Sequence, residues 1–108
     1  MKITSHTTTI VTLALEGELD ASSAIKLDAE LAQPALLTCD KVLVNFQQLS
    51  YISSAGIGMF LSHLPRLQGA GVKVVFFNLP EKILNVFEIL GLDALLHLAV
   101  TEQDALVR

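Results

Sequence analysis

A chain of 108 residues is long enough for one hydrophobic core and too short for a second, so a single domain over residues 1–108 is the expectation. Its hydrophobic fraction of 52% is high, yet the apolar residues come in short runs, none reaching the roughly 18 that a membrane span requires. A formal net charge of -4, with no cluster of lysine and arginine, argues against electrostatic capture of nucleic acid or of an anionic membrane surface.

The opening segment, Met1 to His6, has one lysine but neither an apolar core of signal length nor a small-residue cleavage pattern, and a cytoplasmic protein is expected. The sequences KITSH and TIVTLALEGEL are β-branched and alternating, which predicts two strands joined through a hairpin or bend at Thr7 and Thr8. Ala24, Leu27 and Leu31 then share one helical face between Ala21 and Gln33, with Asp20 placed to cap the start and Pro34 to end it. Cys39 is the sole cysteine, so there is no internal disulfide, and it reads as a small buried apolar residue. Lys41 to Phe46, KVLVNF, has the character of a strand covered on both faces.

Next comes YISSAGIG, two hydroxyls at the join between an apolar run and a helical pattern. Ile57, Phe60, Leu61, Leu64 and Leu67 form one stripe, closed by Gly69 and Gly71, with Pro65 expected to kink or shorten the helix. VKVVFFN predicts another buried strand. In LPEKILNVFEILG, Pro80 suits a first helical turn, Ile83, Val86, Phe87 and Leu90 make the apolar stripe, and Gly91 is the stop. LLHLAV reads as a last strand and Thr101 opens a short terminal helix. Strand and helix alternate, which predicts an α/β fold: a mixed sheet with parallel neighbours joined by crossover helices.

Few residues offer chemistry. A hydrolase nucleophile elbow needs glycine two positions before the serine, and Ile52 stands there relative to Ser54. His6, His63 and His97 are scattered, without a pattern that places a base beside a hydroxyl. The glycine pairs at Gly56 and Gly58 and at Gly69 and Gly71 lack the third glycine of a dinucleotide loop, and no P-loop is present. Glu16, Glu18 and Asp20 alternate along a strand end and read as solvated rather than as a metal cage. Neither a metal nor a cofactor is expected. Ser53 and Ser54 remain: one hydroxyl accepts from the free N–H groups of the following helix, and an exposed hydroxyl there also suits phosphorylation, because a helix N-terminus favours negative charge.

EGELDASSA, Glu16 to Ala24, followed some thirty residues later by QLSYISSAGIG, resembles the STAS domain of bacterial anti-sigma factor antagonists. The resemblance spans nearly the whole chain and implies a STAS-like mixed sheet of about five strands with crossover helices mainly on one face. It also implies a binding switch rather than an enzyme. The unmodified protein would sequester an anti-sigma factor, usually a serine kinase, and phosphorylation would release it until a serine phosphatase resets the site. Ser54 matches the family's phosphorylated position, with Ser53 the second choice, and Asp20 matches the acidic residue near that site. Ser53 stands where many members carry Asp, and Ala55 where some carry a second hydroxyl. The implied contact surface is Asp20, Ser53, Ser54, Ala55, Gly56, Ile57 and Gly58. An alternative within the same fold is a constitutive subunit, for example beside a lipid-transport ATPase, in which Ser54 carries no phosphate.

Overall fold

The computed structural model describes residues 2–7 and 10–108, and within the first strand only the side chain of Ile3. Lys2–Thr7 (β1) and Ile10–Leu19 (β2) pair antiparallel, with Lys2 opposite Glu16 and Thr7 opposite Val11. The expected bend at Thr8 lies outside the described residues. Three further strands, Lys41–Ile52 (β3), Lys73–Phe77 (β4) and His97–Ala99 (β5), each add parallel to the one before, giving a five-stranded sheet in sequential order.

Crossovers of one hand that always step toward the same side must lay their helices on the same face. Ala21–Leu31 (α1), Ser54–Gly69 (α2) and Glu81–Ile89 (α3) accordingly contribute Leu27, Leu31, Phe60, Leu64, Leu67, Ile83 and Phe87 to one core with Leu13, Val44, Phe46 and Phe76 of the sheet. Four phenylalanines form its centre, Phe46, Phe60, Phe76 and Phe87, with ring centroids 5.0 to 6.2 Å apart in tilted and edge-to-face pairs. Glu102–Val107 (α4) covers part of the opposite face, where Ala105 packs with Leu43, Val75, Phe77 and Ala99.

Several expectations are refined. Pro34 does end the first helix region, but it also starts a 3-10 turn over Pro34–Thr38 that buries Leu36, and Cys39 is buried beside it with its thiol donating to the Leu36 carbonyl at 3.1 Å. Desolvation raises the Cys39 pKa, which keeps the thiol protonated. β3 continues past Phe46 to Ile52, and in this extension only Leu49 and Ile52 turn inward. Leu61, Val86 and Leu90 fall on the outer edges of their stripes and are exposed. His63 ties α2 to α1, its Nε2 lying 2.6 Å from Asp28 Oδ1, and Arg66 donates to the Leu31 carbonyl at 2.5 Å.

Pro65 does not shorten α2, which runs unbroken to Gly69. A proline cannot donate to the carbonyl four residues back, here Leu61, but both residues lie on the exposed side of the helix, where water can take the place of the missing donor. Since an interior proline costs about 3 kcal/mol and returns at most about 1 through the unfolded chain, Pro65→Ala should raise unfolding free energy by about 2 kcal/mol. Urea denaturation checks this; an unchanged or lower midpoint would contradict it.

Candidate functional site at the start of the second helix

β2 and β3 end together. Leu19 and Ile52 are register partners, so the next residues, Asp20 and Ser53, start two neighbouring helices at the same edge of the sheet. The Ser53 N–H donates to the Leu19 carbonyl at 2.8 Å and extends the sheet pairing by one residue before the chain turns.

The two serines divide the possible roles between them. Ser53 has extended backbone and is the N-cap of α2, its hydroxyl oxygen accepting from the Gly56 N–H at 3.2 Å and its carbonyl from the Ile57 N–H at 3.1 Å. Ser54 is the first helical residue; its side chain is exposed and takes no part in the cap. The capping role and the reachable hydroxyl therefore belong to different residues. Ala55 and Gly58 are also exposed, whereas Gly56 and Ile57 are buried and belong to the support beneath the surface.

Gly56 is required by space. A Cβ at this position would lie 2.6 Å from Leu19 Cγ, 2.9 Å from Leu19 Cδ2 and 3.2 Å from Ile52 Cγ1. The first turn of α2 thus rests directly on the side chains that finish β2 and β3. Gly58 is the opposite case, with nothing within 4 Å of a built Cβ.

Asp20 caps α1. Its Oδ1 accepts from the Ser22 and Ser23 N–H groups at 3.1 and 3.0 Å and from the Ser22 hydroxyl at 2.8 Å, while the Ser23 hydroxyl accepts from the Asp20 N–H at 2.9 Å, closing a capping box. These bonds, the Ser23 N–H first and the Ser22 hydroxyl next, hold the carboxyl down to about 2 from its ordinary 3.8. A fixed negative charge consequently stands at the neighbouring helix start at any physiological pH.

Among the described residues, no histidine side chain is brought to the serines. His63 is engaged with Asp28, His97 is exposed on β5, and the side chain of His6 lies outside the described residues. Among the described residues no group of three or more His, Cys, Asp or Glu side chains could hold a metal, and no helix is long and apolar enough to cross a membrane. Glu16 and Glu18 are exposed, as expected of a strand end that projects past the core. The residue pattern alone left open which serine caps the helix, because adjacent hydroxyls look alike until the last residue of the strand is known; the family resemblance favoured Ser54 as the modified one.

Comparison with known proteins identifies relatives of the whole chain. The family model of the STAS domain matches residues 2–105. An anti-sigma-B factor antagonist of Staphylococcus aureus is 30% identical over 81 residues, covering 75% of each chain. One of Listeria monocytogenes is 24% identical over 104 residues, covering 96% of this chain and 91% of its own. Among solved structures, the Bacillus cell fate determinant SpoIIAA in its phosphorylated form superposes with a TM-score of 0.73 at 26% identity, over 99% of this chain and all of that one.

The contact at Gly56 yields a direct test. The methyl of Gly56→Ala would meet the branch point of Leu19, which cannot swing aside as a chain end can, so the substitution should cost about 1–3 kcal/mol in denaturant unfolding. In a double-mutant cycle, Leu19→Ala should cost less in the Gly56→Ala background than in the native one, because the clash leaves with the side chain. Full stability in Gly56→Ala alone would show that α2 does not rest on Leu19.

Proposed function

The chain belongs to the STAS domain family, and from that premise we propose that it is an anti-sigma factor antagonist acting by binding rather than catalysis, switched by phosphorylation of Ser54. The observation that carries the reading is the division of labour at the helix start: Ser53 holds the cap, and Ser54 presents a hydroxyl that the fold does not use. The names of the relatives, antagonists of anti-sigma factors, support the partner class.

In this reading the unmodified protein docks Ser54, Ala55 and Gly58 against a cytoplasmic anti-sigma factor that is also a serine kinase. Gly56 and Ile57 hold that surface from below, Ser53 caps it, and Asp20 keeps its charge beside it. The kinase carries the transfer: the Ser54 oxygen attacks the terminal phosphorus of ATP, the bond to ADP breaks, and the hydroxyl proton passes to a base of the kinase. The product adds a charge of about -1.5 to -2 at the N-terminus of α2, where the free N–H groups of the first turn and the helix dipole accept it without disturbing the fold. The contact made by the bare hydroxyl is then confronted by a dianion beside the Asp20 carboxylate. A mismatch of a few kcal/mol suffices, since each 1.4 kcal/mol is about tenfold in affinity. A serine phosphatase restores the hydroxyl.

Gly58 supports the same surface. A glycine inside a helix costs about 0.5–1 kcal/mol relative to alanine, and here no neighbour demands it, so its value lies in letting another backbone come close.

Incubation with the cognate kinase and ATP, followed by fragment mass spectrometry, should place the phosphate on Ser54, and Ser54→Ala should bind the anti-sigma factor without being released. Phosphate on Ser53 would overturn the assignment, because it would fall on the cap. Persistent binding by the phosphorylated form would favour a constitutive subunit. Gly58→Ala should stabilise the free protein by about 0.5–1 kcal/mol in urea yet weaken the complex by calorimetry. Unaltered affinity would remove Gly58 from the contact.

A further inference from the structure

A second surface stands apart from the serine site and does not rest on the reading of Ser54. Between the start of α3 and the end of β5 lies a groove of about 170 Å³ lined by Leu79, Leu84, Leu98, Ala99 and Val100, all aliphatic. Val100 is 79% exposed, yet its backbone is pinned on both sides. Its N–H donates to Asp104 Oδ2 at 3.3 Å and its carbonyl accepts from the Asn78 N–H at 3.3 Å. A large apolar side chain is thereby held in solvent at the rim of an apolar groove.

Acidic residues predominate in the segment that builds it. Residues 79 to 108 carry five carboxylates, Glu81, Glu88, Asp93, Glu102 and Asp104, against Lys82 and Arg108, the latter paired with Asp104 at 3.2 Å, so this segment holds -3 of the net charge of -4. Glu81 and Glu88 stand three residues before and four after Leu84, so they share the helical face that borders the groove. Both are exposed.

We propose that this groove docks a cationic amphipathic segment of a partner protein, with aliphatic side chains seated against Leu84, Leu98 and Val100 and lysine or arginine facing Glu81 and Glu88. A second copy of this chain would bring the same excess of negative charge to the contact, and like charges across an interface are costly. A fatty acid would set its carboxylate against the same two glutamates. The groove is remote from Ser54: β4 ends opposite Asn45, and β3 runs seven residues further before Ser53, roughly 23 Å at about 3.3 Å per residue. A segment held here would stay bound whether or not the serine site is occupied.

The test is titration of the full chain with a labelled helical peptide of leucine and lysine, read by fluorescence anisotropy and by methyl NMR. Saturable binding with shifts at Leu84, Leu98 and Val100 is expected. The double variant Glu81→Lys/Glu88→Lys should weaken binding about tenfold or more, a change of about 1.4 kcal/mol or more. Val100→Ser should weaken it several-fold, and since all three side chains are exposed, the circular dichroism spectrum and Tm should stay as they are. Equal binding of a leucine and glutamate peptide, indifference to charge reversal, or shifts centred elsewhere would overturn the proposal. So would decanoate producing the same methyl shifts, or sedimentation showing a dimer that Val100→Ser dissociates, each of which names a different occupant.

Discussion

The first turn of α2 sits on the last side chains of β2 and β3 with no gap, and the exposed site depends on that contact. Leu19 fills the space a Cβ of Gly56 would occupy, Ile52 borders it, and the Ser53 N–H is bonded to the Leu19 carbonyl. A helix start fixed at three points leaves its first residue little freedom. Ser54 is therefore displayed on a closely packed support, and in the proposed switch the surface around it would change in charge without needing to change in shape.

The same economy explains the placement of polar groups. Asp20 spends its hydrogen bonds on the first turn of α1, yet its depressed pKa leaves a permanent charge next to the start of α2. One residue thus stabilises a helix and sets the local field. The aromatic centre lies deeper in the molecule, between the sheet and the three helices on its main face. Away from both, the segment from Leu79 to Arg108 holds most of the net negative charge and borders an apolar groove, so the protein carries two surfaces of different chemistry: small side chains and hydroxyls in one, aliphatic residues and carboxylates in the other.

Much of this could be read from residue patterns, because the forces involved are local. The capping of α1 by Asp20, the stripes of Leu27 and Leu31 and of Phe60, Leu64 and Leu67, the buried run at Val42 to Phe46, and the glycine stop at Gly91, whose φ is 73°, all follow from short-range spacing. Less legible features depended on neighbours distant in sequence. The extension of β3 through Gln47 and Gln48 is held by pairing with β2 across a register shift, which no alternation of apolar residues in β3 itself announces. The survival of α2 across Pro65 depends on that side of the helix facing solvent. Leu61, Val86 and Leu90 obey helical periodicity but lie at the margins of their stripes, where the covering layer ends. The resemblance already favoured Ser54 as the modified residue, but that Ser53 is the one that caps α2 follows only once Ile52, paired with Leu19, is known to end the strand.

The central claim is that the support beneath Ser54 is indifferent to the charge placed on it. Backbone amide spectra and thermal unfolding of the bare and Ser54-phosphorylated proteins, recorded side by side, test it most directly. The account predicts chemical-shift changes confined to residues 19–23 and 51–58, with nearly equal Tm. Shifts spread through the sheet and the phenylalanine centre, or a phosphorylated form that melts far below the bare one, would contradict it.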